Sequence, residues 1–306
     1  MPIKISKWYG RLGNNIQQCA VGIIIAKQRN DTFQNLKHDI IKPIYLDFRK
    51  DKKNDLCAIY LNDFFYWNGY IRSPNISSYK LYIEVQKICQ KYILPKLDIP
   101  KISVPQETLV IHIRSGDVFA EGMNFYNFIP NPYVYYLKLI NFYDKVLVVT
   151  EKDRNNPVLD RLKDNPKVKI QSKSVKEDFS VLLGAKNLAT SGTSTFPIAA
   201  SLCSLNLENL YCSENMEKTA INYKMISDPR INVYICKLNN YIKKGSWKNN
   251  SQQKKFIVEA KLVINFRKLK KNTFNFLLET LYVDMNLIFK KFKKLNILIY
   301  KKFIKF

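Results

Sequence analysis

Histidine is nearly absent from this chain: there are two, His38 and His112, in 306 residues. Neither lies at ligand spacing from a cysteine, which argues against a zinc site. The six cysteines, Cys19, Cys57, Cys89, Cys203, Cys212 and Cys236, form no C-x-x-C pair, and several sit inside apolar helix or strand patterns. They read as buried thiols of a reducing compartment. The sequence has no G-x-x-x-x-G-K-[ST], no G-x-G-x-x-G, and no D-x-D to hold a metal on a diphosphate. A diphosphate would then have to be neutralised by protein charge alone. No apolar run has membrane-spanning length, since Val21 to Ala26 is far too short, and the first residues lack the sustained apolar stretch of a secretory signal. The expected setting is the cytoplasm.

Acidic residues are few beside basic ones, leaving a net charge of +25, so the expected partners are anionic: nucleic acid, acidic lipid or a phosphorylated small molecule. From Lys261 onward, 12 Lys plus Arg face two acids, Glu279 and Asp284, so this tail carries +10 of the excess. Within it, Phe274 to Leu295 places its large apolar residues on one helical stripe, with lysines gathered near the end. Such a helix could lie on acidic lipid head groups or pack back on the protein. Outside the tail the lysines are dispersed rather than interleaved with stacking aromatics on one face, so nucleic acid is not the expected partner.

The apolar share of 46% is that of a globular protein, and the length suggests two domains of about 100 to 150 residues facing across a cleft. The spacing predicts a strand over Ile3 to Trp8, a turn over Gly10 to Asn14 and a buried helix over Ile16 to Arg29. A second strand is expected at Ile44 to Phe48 and a helix from Tyr79 to Leu94, stopped by Pro95. The segment 96–106, with prolines at 100 and 105, is the expected linker, dividing an N-terminal domain (1–100) from a C-terminal one (101–258), with a basic helical tail over 259–306. Beyond the linker the pattern is regular. Strands at 108–113, 145–150, 168–171, 188–190 and 207–212 alternate with helices at 133–142, 157–163, 175–186 and 196–202. Short apolar strands alternating with helices predict an α/β fold with a doubly wound parallel sheet.

Ligands of open parallel sheets bind outside the carboxyl ends of the strands, where His112-Ile113-Arg114-Ser115-Gly116-Asp117 leaves the strand 108–113. A guanidinium there offers a charged fork matched to a diphosphate, and Gly116 allows close backbone approach or a sharp turn. Taken alone, the segment also fits a half-buried strand histidine beside an arginine paired with a local acid. The hydroxyl-rich run Thr190-Ser191-Gly192-Thr193-Ser194-Thr195, before Phe196 and Pro197, lies between a strand and a helix. It reads either as an anion-binding nest or as a plain helix cap. Asp117 and Glu121 lie near the same strand end as candidate general bases, and a base from the first domain is an equal alternative.

In order along the chain, Gly10-Arg11-Leu12-Gly13-Asn14-Asn15, His112 to Asp117, Asp178, and Ser191 to Phe196 resemble the motifs of the fucosyltransferase superfamily. That group includes bacterial alpha-1,2-fucosyltransferases and protein O-fucosyltransferases. Gly245-Ser246-Trp247-Lys248-Asn249, followed by Gln252 and Gln253, resembles a C-terminal signature of related bacterial and viral sequences, so the resemblance spans about residues 8 to 258. It implies a GT-B architecture of two Rossmann-like domains and inverting, metal-independent transfer of fucose from GDP-fucose, with no further cofactor. The acceptor would be a hydroxyl of a glycan or lipid-linked saccharide. By position, Arg114 would hold the diphosphate, His112 and Asp178 would contact guanine, and Ser191, Ser194 and Thr195 would complete the donor site, the last two on phosphate. Asn14 would face the reacting sugar and the acceptor.

Overall fold

The computed structural model describes residues 2–50, 59–61, 78–122, 125–218 and 222–270. Cys57 and the amphipathic stretch from Phe274 to Leu295 lie outside the described residues. The described chain is α/β, built on two sheets.

The first sheet contains β1 (Ile3–Ile5), β2 (Thr32–Gln34), β3 (Tyr45–Asp47) and β4 (Ile59–Leu61) in the order β3-β2-β1-β4. β1 runs parallel to β2 and β4, and β3 is antiparallel. Helix α1 (Leu12–Arg29) follows β1, and apart from Asn14 every residue from Leu12 to Ala26 is buried. From Cys19 to Ala26 the helix is apolar all round and has to be covered on all sides. Its first turn occupies part of the segment whose glycines and asparagine suggest a turn. Gly13 is small there for a tertiary reason: a Cβ would lie 2.8 Å from the Thr195 carbonyl carbon and 2.9 Å from the Phe196 nitrogen. α1 ends on Asn30 in the left-handed conformation (φ 52°), whose N–H caps the Ala26 carbonyl.

Helix α2 (Ser78–Ile88) is shorter than its apolar spacing suggests, because Cys89–Ile93 form a π turn and Leu94–Lys96 a 3-10 turn. Pro95 explains this: it has no N–H for the Lys91 carbonyl and its ring crowds that carbonyl, so the last turn widens. The residues that follow, 98–106, form neither helix nor strand. Asp98 N–H donates to the Ile40 carbonyl (2.7 Å), Ser180 Oγ to the Pro100 carbonyl and Asn187 Nδ2 to the Gln106 carbonyl (2.9 Å), so this segment is fastened at both ends.

The second sheet holds β5 (Thr108–Ile113), β6 (Lys145–Thr150), β7 (Val168–Gln171), β8 (Asn187–Ala189), β9 (Asn209–Ser213), β10 (Asn232–Cys236) and β11 (Phe266–Lys268). Their order is β11-β10-β9-β8-β5-β6-β7, and every neighbouring pair is parallel except β10 with β11. Counted from β5, the six parallel strands run 3-2-1-4-5-6, the order of a doubly wound sheet. The helices are α3 (Tyr133–Ile140), α4 (Val158–Leu162), α5 (Val175–Gly184), α6 (Thr195–Cys203) and α7 (Ser251–Glu259). Alternate residues of β5 enter different layers: Val110 packs with α5 and α6, while Leu109, Ile111 and Ile113 pack with α3, α4 and α7. The α5 and α6 layer also contains β1 and α1, so the two sheets share one continuous core. Among the described residues, Cys19, Cys89, Cys203, Cys212 and Cys236 are buried free thiols, and burial pushes the Cys212 thiol up to about 12.

Candidate functional site

A cavity of about 510 Å³ opens where β5 and β8 lie side by side and their onward connections diverge. This is the topological switch point, where a doubly wound sheet leaves a crevice. The carboxyl ends of β5 and β6 and the N-termini of α1, α5 and α6 converge on it. Four cationic side chains line it, Arg11, Arg114, Lys152 and Lys173, against two carboxylates, Glu151 and Asp178.

Arg114 leaves β5 with its guanidinium 5.6 Å above the Phe128 ring. Nη2 donates to both carboxylate oxygens of Asp117, at 3.0 and 3.1 Å, while Nε is buried with no acceptor among the described residues. A local acid therefore pairs with Arg114, and part of the guanidinium's donor capacity remains over. Asp117 also accepts from Arg11 Nη2 (3.1 Å), and Arg11 Nη1 reaches Glu151 (3.3 Å). Arg11 is the N-cap of α1, and a cation at a helix N-terminus opposes the macrodipole. These two carboxylates offset that cost, although pairs this exposed add little to stability. Burial would raise the Asp117 pKa, but the Arg114 and Arg11 guanidinium groups together with a backbone N–H outweigh it and hold the carboxyl below the usual range.

The turn after Arg114 is held from β6. Ser115 N–H donates to Glu151 (2.6 Å), Gly116 N–H to Asp153 (2.9 Å) and Asn156 Nδ2 to the Arg114 carbonyl (3.0 Å). The Gly116 amide is thus occupied, and its φ of 51° serves the sharp turn rather than a ligand. Glu121 is exposed in the turn beyond.

His112 is buried, with Nδ1 2.8 Å from Ser191 Oγ and its ring against Phe196. Burial, reinforced by Arg114 and then Arg11, drives its pKa down to about 3, so the imidazole is neutral at physiological pH. The hydroxyl run divides its labour. Ser191 serves His112, Thr193 Oγ1 accepts from Ile129 N–H (2.9 Å), and Thr195 Oγ1 donates to Asn14 Oδ1 (2.8 Å). Ser194, the N-cap of α6, makes no side-chain cap bond and fronts the cavity with Thr195. That helix end keeps its positive dipole open to the cavity. Asn14 stands behind Thr195, and Arg11, Leu12 and Gly13 supply the α1 part of the wall. Asp178 lines the cavity near the N-terminus of α5, accepting from Gln171 Nε2 (3.0 Å) and the Lys173 amide (3.1 Å). Burial raises its pKa despite those donors.

The cavity thus gathers His112, Arg114, Asp178, Ser194 and Thr195 on its wall, with Asn14, Asp117 and Ser191 bonded directly behind. No family model matches the chain, and no curated protein does. Among the described residues, no group of three or more His, Cys, Asp or Glu is arranged to hold a metal ion, and no helix is long and apolar enough to cross a membrane. The wall also contains His38, Glu151, Lys152 and Lys173, which sequence reasoning did not single out. Glu151 and Lys152 directly follow β6, so the strand-end rule that selected Arg114 would have found them if applied to the neighbouring strand. His38 does not offer a free basic nitrogen: Nδ1 accepts from the Ile40 and Ile41 amides, which leaves Nε2 to donate to Asn15 Oδ1 (3.1 Å).

Proposed function

We propose that this protein is an inverting glycosyltransferase that moves fucose from GDP-fucose to a hydroxyl of a glycan or lipid-linked saccharide. The observation that carries the reading is the presence, on the wall of one cavity at the switch point, of both Arg114, whose guanidinium keeps donor capacity over, and the uncapped N-terminus of α6. A diphosphate suits that pair: the guanidinium supplies a charged fork and the helix end supplies oriented amides. Guanine and fucose come from the motif resemblance, as does independence of a metal. In this reading the two sheets are the two halves of a GT-B fold, with the acceptor entering beside Arg11, His38 and Ile40.

The acceptor hydroxyl oxygen attacks the anomeric carbon, the bond from that carbon to the diphosphate oxygen breaks, GDP leaves with the electron pair, and the hydroxyl proton passes to solvent water at the open side of the cavity. Arg114 and the α6 N-terminus stabilise the charge that develops on the diphosphate. Asp117, tied to two guanidinium groups and with its pKa lowered, suits the orienting of Arg114 and Arg11 better than proton abstraction. The reaction belongs in the cytoplasm, and the basic tail suits contact with acidic lipid head groups where the acceptor is lipid-linked. Incubation with GDP-fucose and a panel of glycans, read by GDP release and product mass, tests the assignment. Fucosylated product supports it, and product only from another nucleotide sugar would replace fucose while keeping the diphosphate site.

Asp178 carries a pH signature. As an acceptor for guanine N–H groups it must be ionised, and burial raises its pKa. GDP affinity should therefore fall on acidification at a pH above that of an ordinary aspartate. Asp178→Asn should weaken GDP binding roughly 10-fold at neutral pH, in line with loss of a charged hydrogen bond, and flatten the acid limb. A dissociation constant measured against pH for both proteins checks this.

A further inference from the structure

We propose that the segment from Gly245 to Lys254 is a positioning device for Arg114, acting through Trp247. The proposal rests on the reading of Arg114 as the diphosphate-binding residue. Trp247 is fully buried, packed edge-on against Phe119 (5.5 Å between ring centroids, 71°) and Phe128 (6.4 Å, 74°), which also contact each other. Phe128 carries the Arg114 guanidinium on its face, and Phe119 closes the 3-10 turn Gly116–Phe119 that presents Asp117. Trp247 therefore backs both supports of Arg114, the ring beneath it and the turn bearing its carboxylate partner.

The backbone contacts follow the same plan. Three successive carbonyls accept from this segment: Val118 from Trp247 Nε1 (3.4 Å), Phe119 from Lys254 Nζ (3.4 Å) and Ala120 from Asn249 Nδ2 (2.8 Å). Gly245 N–H donates to the Tyr126 carbonyl (3.0 Å), gripping the strand of chain that leads to Phe128. Gln253 holds the segment in shape, accepting from Lys248 N–H (2.6 Å) and donating to the Ser246 carbonyl (2.7 Å). The signature residues Trp247, Asn249 and Gln253 thus do not line the cavity; they fix the placement of the arginine that does.

The test reads Arg114 directly in the full chain. In 15N spectra the Arg114 Nε–H resonance is assigned by its disappearance in Arg114→Lys. In Gln253→Ala and Trp247→Leu its exchange with water should quicken at least tenfold while the amides of β5 to β9 keep their protection, and Trp247→Phe should restore it. GDP affinity should weaken about tenfold in the first two variants, with no further loss when either is combined with Arg114→Lys. An Arg114 signal unmoved in both variants overturns the proposal, as does loss of protection spread evenly over the sheet. Failure of the wild-type protein to bind GDP would instead sink the nucleotide reading, and the exchange measurement would still decide whether Trp247 places Arg114.

Discussion

Arg114→Lys should lower turnover by about 10²-fold to 10³-fold, nearly as far as Arg114→Ala. The reason lies in how the guanidinium is used. Nη2 is committed to Asp117, the plane rests on Phe128, and Nε remains buried without an acceptor among the described residues. One side chain thus keeps its carboxylate partner, lines the cavity and still has donor capacity over. An ammonium cannot do both: it is a point charge without a second fork, and the pull of Asp117 would draw it away from a ligand. Steady-state kinetics with GDP-fucose, alongside GDP binding, checks this. Full turnover by the lysine variant would remove Arg114 from the proposed role.

Gly192→Ala should cost about 3 kcal/mol of stability, from overpacking against fixed backbone plus strain at a left-handed φ. For a chain of 306 residues that corresponds to a fall in Tm of roughly 5 °C. Gly192 has φ 71°, and a Cβ there would overlap the Ile129 carbonyl oxygen. The two segments cannot part easily: Thr193 bonds Ile129 through both its amide and its hydroxyl, and Asn131 Nδ2 donates to the Thr190 carbonyl. The methyl would push apart the run that places Ser191 on His112 and Ser194 at the cavity, so nucleotide affinity should fall with stability. Gly122→Ala is the control, because Gly122 has nearly the same φ, 72°, with open space around it. It should cost only the backbone strain, about 1 kcal/mol. Equal melting temperatures for the two variants would contradict the packing argument.

The parts of this molecule legible in its sequence are those set by local patterns. β5 to β9 are short runs between turn residues, β5 and β8 buried along their whole length, and their alternation with helices is enough to give a parallel sheet and its ligand-binding edge. Arg114 and the hydroxyl run were visible because each follows such a strand. What stayed hidden depends on distant partners. Gly13 looks like a turn residue, yet it lies in a helix because α1 and α6 need to touch there. Arg11 meets Asp117 and Glu151 across 106 and 140 positions, so no local spacing reveals that it joins α1 to the site. The strands β2, β4 and β11 have three residues each, too few to show a period. The Trp247 motif was recognisable as a motif, but its work is packing against Phe119 and Phe128, which only the folded chain brings together.

A melting-temperature panel with GDP, UDP, CMP and single-stranded DNA tests the central claim most directly. A ligand at 100 times its Kd stabilises the native state by about 2.7 kcal/mol, which raises Tm by several degrees. GDP alone should produce that shift, and Arg114→Lys should abolish it. No stabilisation by GDP, or a larger one by single-stranded DNA, would contradict the account.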